Sequence, residues 1–189
     1  MKKFFVMFIV MICLLSGCAG SPESQESIKL EKYKYIYQTV SDNNSFLDSP
    51  SYYDLSIVMS KLSDKSYRYD ITIDNPQIAM YDVQVMAVEN NLEYELSNKM
   101  MPTIGILEDD SYNMVPYQVD AERGYVKGLI LSGEIDNPIV NLKIRVSYKD
   151  YLLVKETNEY YNITVDYDSQ FAEITEGEEE VDETSEDNG

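Results

Sequence analysis

Apolar and polar residues alternate through most of the chain after residue 52, and turn-forming residues interrupt the alternation at short intervals. Tyr53, Leu55, Ile57 and Met59 alternate with Asp54, Ser56, Val58 and Ser60. After a turn at residues 63–66, Tyr67, Tyr69, Ile71 and Ile73 alternate with Arg68, Asp70, Thr72 and Asp74 until Asn75-Pro76 stops the run. Val83, Val85 and Ala87 carry a further strand, closed by Asn90-Asn91. Residues 92–123 are the least regular, with Ile104-Gly105-Ile106-Leu107 as a short strand. Residues 125–135 form another strand. Gly128 and Gly133 inside it call for a bulge or a close backbone contact. Leu142, Ile144, Val146 and Tyr148, then Tyr161, Ile163, Val165 and Tyr167, complete the pattern. About seven short strands with turns between them predict an all-β fold, a single antiparallel β-sandwich over residues 51–168.

Two segments fall outside this pattern. In residues 31–40, Tyr33, Tyr35 and Tyr37 alternate with Lys34 and Ile36, which favours a strand, while the preceding residues could equally start a short helix. Residues 19–26 are small and polar and read as a flexible tether, so residues 18–50 are assigned as tether plus one short element. At the other end, residues 172–189 are crowded with carboxylates and contain no base. Such a stretch buries too little apolar area to offset its chain entropy, and residues 169–189 are expected to form a disordered acidic tail.

The N-terminus carries a different signal. Lys2 and Lys3 precede an unbroken apolar run over residues 4–15. The run is shorter than the roughly 20 residues a spanning helix needs and suits a secretory signal. It ends in Leu15-Ser16-Gly17-Cys18. This resembles the lipobox of bacterial lipoproteins. The resemblance implies cleavage before Cys18, a signal peptide over residues 1–17, and a diacylglyceryl group on the Cys18 thiol. Two acyl chains give stable membrane anchoring where one gives only marginal binding. The implied location is the outer face of the cytoplasmic membrane in a Gram-positive cell. In a cell with two membranes it is the outer membrane, because Ala19 is no inner-membrane retention signal.

Within the sandwich, Tyr67–Pro76 with Tyr-Asp-Val-Gln-Val at 81–85 is similar to the early strands of bacterial immunoglobulin-like modules of the CARDB type. Residues 124–131 followed by 142–150 resemble the later strands of the telokin-like domain of Gram-positive lipoproteins. These families imply interaction or support roles outside the cell. The chain lacks the aromatic that usually follows the lysine–glycine strand, and residues 92–123 are an irregular insert.

Composition narrows the chemistry. The net charge of −19 becomes −21 once Lys2 and Lys3 leave with the signal. That excludes nucleic acid as a natural partner and disfavours lying flat on anionic lipid. A partner for the acidic tail would be basic. With His 0 and Cys 2, and both cysteines consumed by signal and lipid, the folded part has no thiol, imidazole or disulfide to offer. No cofactor is implied. Asp109, Ser111, Asn113 and Asp120 match part of a calcium-loop template, but Met114 stands where the sharp turn needs glycine. Only the cluster Glu108, Asp109 and Asp110 remains as a calcium candidate. Tyr 17 is the outstanding count. As a strand, Tyr33, Tyr35 and Tyr37 would present one aromatic stripe, a candidate binding surface. The expected function is a lipid-anchored binding or accessory module without catalysis. A structural subunit of a secretion or cell-wall complex is the alternative, followed by a sandwich-type hydrolase.

Overall fold

A computed structural model describes residues 22–95 and 98–171. The signal, Cys18 and the acidic stretch from Ala172 lie outside the described residues. The architecture is one helix, α1 (Pro22–Asp42), followed by seven strands: β1 (Asp54–Ser63), β2 (Ser66–Asp74), β3 (Tyr81–Glu89), β4 (Thr103–Ile104), β5 (Leu129–Ile135), β6 (Ile139–Lys149) and β7 (Glu156–Asp166). They form two antiparallel sheets, three strands in the order β1-β2-β5 and four in the order β4-β3-β6-β7. On β1, β2 and β5 the alternating residues divide between interior and outer side as expected, whereas on β6 the intervening Lys143, Arg145 and Ser147 are buried as well. Ile71 and Ile73 of β2 meet Val83, Val85, Leu142 and Ile144 of the facing sheet, all fully buried. Each such side chain contributes roughly 1.5–3 kcal/mol relative to exposure.

The segment before the sandwich differs from expectation. Residues 18–50 are more than a tether: the chain is helical from Pro22 to Asp42, and the strand reading of residues 31–40 is wrong. Tyr33, Ile36, Tyr37 and Val40 follow the i, i+3, i+4, i+7 spacing of one helical face. That face packs with Met86, Val88, Met101 and Ile106 into a second core on the outer side of the four-stranded sheet. β3 therefore buries both faces, Val83, Val85 and Ala87 inward and Met86 and Val88 outward. The Lys143 ammonium donates to the Ser41 carbonyl (2.7 Å), tying the helix to β6, and the Met101 N–H donates to the Tyr33 hydroxyl (2.8 Å), tying it to the connection before β4.

The first three residues assigned to the tail are ordered. Residues 169–171 form a 3-10 turn, and the Gln170 carboxamide donates to the Met59 carbonyl (2.7 Å) and accepts from the Met59 N–H (3.1 Å). It occupies the place of a missing strand neighbour on edge strand β1. The strand expected over residues 125–135 begins only at Leu129, so Gly133 lies within β5 and Gly128 just before it; Gly133 lies beneath the Tyr69 ring, so any Cβ there would strike the phenol, and Gly128 leaves a Cβ only 2.8 Å from the Ile73 carbonyl. Both are close contacts of the kind the sequence called for.

The strand ends divide the sandwich into two poles. One pole carries the β2–β3 connection, residues 112–119 and the β6–β7 hairpin: Tyr81 pairs with Lys149, Met80 bridges to Met114, and the Tyr81 and Tyr151 rings lie 5.9 Å apart. This is the loop pole. The opposite pole carries the β1–β2 turn and the end of β3, where Tyr69 reaches Glu89 and Tyr67 meets Tyr167.

Candidate functional site

Each pole encloses a buried carboxylate, and each is consumed by its own neighbours. Glu159, on the loop-pole side, accepts from the Tyr53 and Tyr161 hydroxyls (2.6 Å each) and from Tyr148 (3.1 Å). Burial first, then the hydrogen bond to Glu159, pushes the Tyr53 and Tyr161 phenols far above their usual value, so both stay donors. Burial pushes Tyr148 up to about 12, with the Glu159 charge adding to it. Glu89, at the opposite pole, accepts from Tyr69 (2.6 Å) and pairs with Lys99 (2.8 Å). The two carboxylates lie on different strands and in separate networks. Each network ties its carboxylate to the surrounding phenols and so rigidifies the interior.

The surface tells more. Among the described residues, six non-glycine residues have left-handed backbone: Asn75, Asp82, Asn90, Asn91, Tyr117 and Leu153. Asparagine and aspartate tolerate that region, whereas tyrosine and leucine do not. Tyr117 (φ 63) and Leu153 (φ 58) are the two exceptions, both lie at the loop pole, and both side chains point into solvent. Strain of this kind gathers where a fold must present a side chain.

Leu153 belongs to the tip of the β6–β7 hairpin. Tyr151, Leu152, Leu153 and Val154 are consecutive, and their exposures are 78, 72, 56 and 82%. The tip is ordered from within. Asp150 N–H donates to the Lys155 carbonyl (3.1 Å) and Leu153 N–H to the Asp150 carbonyl (2.9 Å). The Asp150 carboxylate accepts from the Val154 (3.1 Å) and Lys155 (3.3 Å) amides. At the base, Lys149 donates to Asp82 at 2.6 Å. Burial alone would raise the Asp82 carboxyl, but this bond and the Lys149 charge outweigh it and hold Asp82 below its ordinary value.

Tyr117 stands at the mouth of a cleft of about 540 Å³ between the β2–β3 corner and residues 115–119. Pro76, Pro116 and Val119 give it apolar walls; Asn75, Gln77 and Lys127 give it polar groups. The combination of an aromatic rim, short apolar walls and a few polar groups suits a binding cleft.

The sequence candidates fall elsewhere. Tyr33 and Tyr37 are buried and only Tyr35 is exposed, so the three do not form the single stripe expected of a strand. Tyr37 donates to the Leu92 carbonyl (2.9 Å), and burial pushes its phenol up to about 12. Glu108 accepts from the Leu107 amide (3.2 Å), Asp109 pairs with Lys29 (2.7 Å) and Asp110 lines a separate shallow cleft near Arg123. The three carboxylates turn to different partners, and among the described residues no group of three or more acidic, cysteine or histidine side chains gathers as a metal site would. The loop-pole residues were missed. Their signal was present: an apolar run, Tyr151 to Val154, falls where a hairpin between two alternating strands must turn.

No family model, no curated protein and no solved structure matches the chain. Among the described residues no helix is long and apolar enough to cross a membrane.

Proposed function

We propose that the protein is a lipid-anchored, non-catalytic binding module that displays an immunoglobulin-like sandwich on the outer side of a membrane. The observation that carries the binding role is the pairing of strain with exposure at Tyr117 and Leu153. The fold keeps two apolar residues in backbone that disfavours them, on the one pole that also holds the cleft. Leu15-Ser16-Gly17-Cys18 supports the anchor. The strand order supports the immunoglobulin-like reading: taken in chain order as A, B, C, C′, E, F and G, the sheets read A-B-E and C′-C-F-G. The self-satisfied buried glutamates support a role without catalysis.

Two experiments test the parts separately. Labelling cells with a fatty-acid analogue should mark the protein, and Cys18→Ser should abolish the mark; undiminished labelling contradicts the anchor. A photo-reactive amino acid at position 117 should cross-link an envelope partner in the native membrane, whereas one at Leu62, on the opposite pole, should not. Equal adducts at both positions contradict the loop-pole assignment.

A further inference from the structure

The hairpin tip has a use separate from the cleft. We infer that Tyr151, Leu152, Leu153 and Val154 seat on the bilayer itself, inserting into the boundary between headgroups and acyl chains and fixing how the anchored domain stands. This rests on the lipid-anchor reading, because the anchor brings the membrane to the tip.

The tip has the shape and chemistry of a bilayer contact. It is convex: four consecutive apolar side chains, each more than half exposed, leave the body of the domain together. A groove-binding partner would need an apolar concavity, whereas a fluid bilayer accepts a protrusion of any outline. An aromatic opens the run and lysines flank it, Lys149 on one side and Lys155 on the other. Tyrosine and lysine are the residues that settle at headgroup level beside buried aliphatics. The one acid in the turn, Asp150, is exposed at its base, and its carboxylate is taken up by the Val154 and Lys155 amides. The network fixes the tip before contact, which removes an ordering cost. Leu153 holds a left-handed backbone that asparagine or glycine would adopt freely, and more than half of it is exposed.

The bilayer is also near at hand. Cys18 precedes the first helical residue by four positions, a reach of roughly 14 Å fully extended. The N-terminal half of α1 passes near the base of the hairpin: Lys29 pairs with Asp109 (2.7 Å), and the Ser111 hydroxyl, two residues on, donates to Asp82 (3.4 Å), the partner of Lys149. A short tether makes the membrane the surface the tip meets at the highest effective concentration. The body of the protein is strongly acidic, so the contact is apolar insertion into zwitterionic lipid, not attraction to anionic headgroups. A partner reaching the cleft would then approach along the membrane surface.

The chain contains no tryptophan, so an introduced one reports its own position. The chain from Cys18 onward, which holds every described residue, is coupled through the Cys18 thiol to maleimide-headgroup lipid in phosphatidylcholine vesicles. This coupling stands in for the anchor whether or not the cell lipidates Cys18. In the Leu152→Trp variant the indole emission should shift to the blue and be quenched several-fold by lipids brominated along the acyl chains. The Leu62→Trp variant should show neither change. Adding Leu153→Asp and Val154→Asp to Leu152→Trp should return the emission to that of an indole in water, with an unchanged circular dichroism spectrum. An unquenched indole at position 152, or equal quenching at positions 152 and 62, overturns the inference. A blue shift without lipid quenching, seen only when native membrane proteins are present, overturns it in favour of a protein groove. Fatty-acid labelling of Cys18 tests the anchor independently, so failure of the tip and failure of the anchor are distinguishable.

Discussion

After β3, at the opposite pole, the chain reverses through Asn90 and Asn91, both left-handed (φ 50 and 53). The Asn90 side chain uses the position well: its carbonyl oxygen accepts from the Asn141 amide at 3.0 Å. At the loop pole Leu153 and Tyr117 hold the same backbone, and their side chains make no hydrogen bond among the described residues and stand largely in solvent. The interiors differ in parallel. Glu89 has a cation, Lys99, reaching in from solvent, while Glu159 has three phenols. At the opposite pole the left-handed positions are held by asparagines; at the loop pole Asn75 and Asp82 share that backbone with an exposed tyrosine and an exposed leucine.

The comparison can be broken at several levels. The largest effect belongs to the opposite pole: Gly133→Val drives a branched side chain into the Tyr69 phenol and should cost about 3 kcal/mol in urea unfolding, at the upper end for overpacking. A neutral result would mean that the Tyr69–Glu89 network is slack. Tyr53→Phe removes a hydroxyl shared by Glu159 and Tyr161 and should cost about 2 kcal/mol. If it costs nothing, Glu159 is satisfied by its other two phenols and the network is redundant.

Alkaline titration separates burial from packing. Tyr37 and Tyr148, pushed up to about 12 from the ordinary phenol value of 10.0, bind their protons more tightly in the fold than in the unfolded chain. Their contribution is complete below pH 10 and is lost as pH rises through about 12. Melting temperature should fall steeply across that window, and Tyr148→Phe should make the fall shallower. A flat profile would contradict the burial of these phenols.

The strands were legible because each has one face toward the interior, and alternation registers a one-sided surface. The helix was obscured because Tyr33, Tyr35 and Tyr37 alternate while Tyr33, Ile36, Tyr37 and Val40 also fit a helical face. Burial decided between them, and the deciding partner lies far away in sequence: Met86 and Val88, the outward residues of β3. The uninterrupted run Val85-Met86-Ala87-Val88 was the sign that this strand is covered on both faces. The exposed residues of the loop pole were hidden for another reason. Left-handed backbone at Tyr117 and Leu153 follows from how their loops close, and neither residue type announces it.

The smallest expected effect bears most directly on the account, because it asks whether the loop-pole residues serve the fold or its surroundings. Asparagine adopts left-handed backbone readily, so Tyr117→Asn and Leu153→Asn together should relieve strain while removing only solvated side chains. Urea unfolding of the double variant should show a gain on the order of 1 kcal/mol per position. A loss of stability would mean that both side chains support the domain, and would contradict the claim that the loop pole is kept for contact.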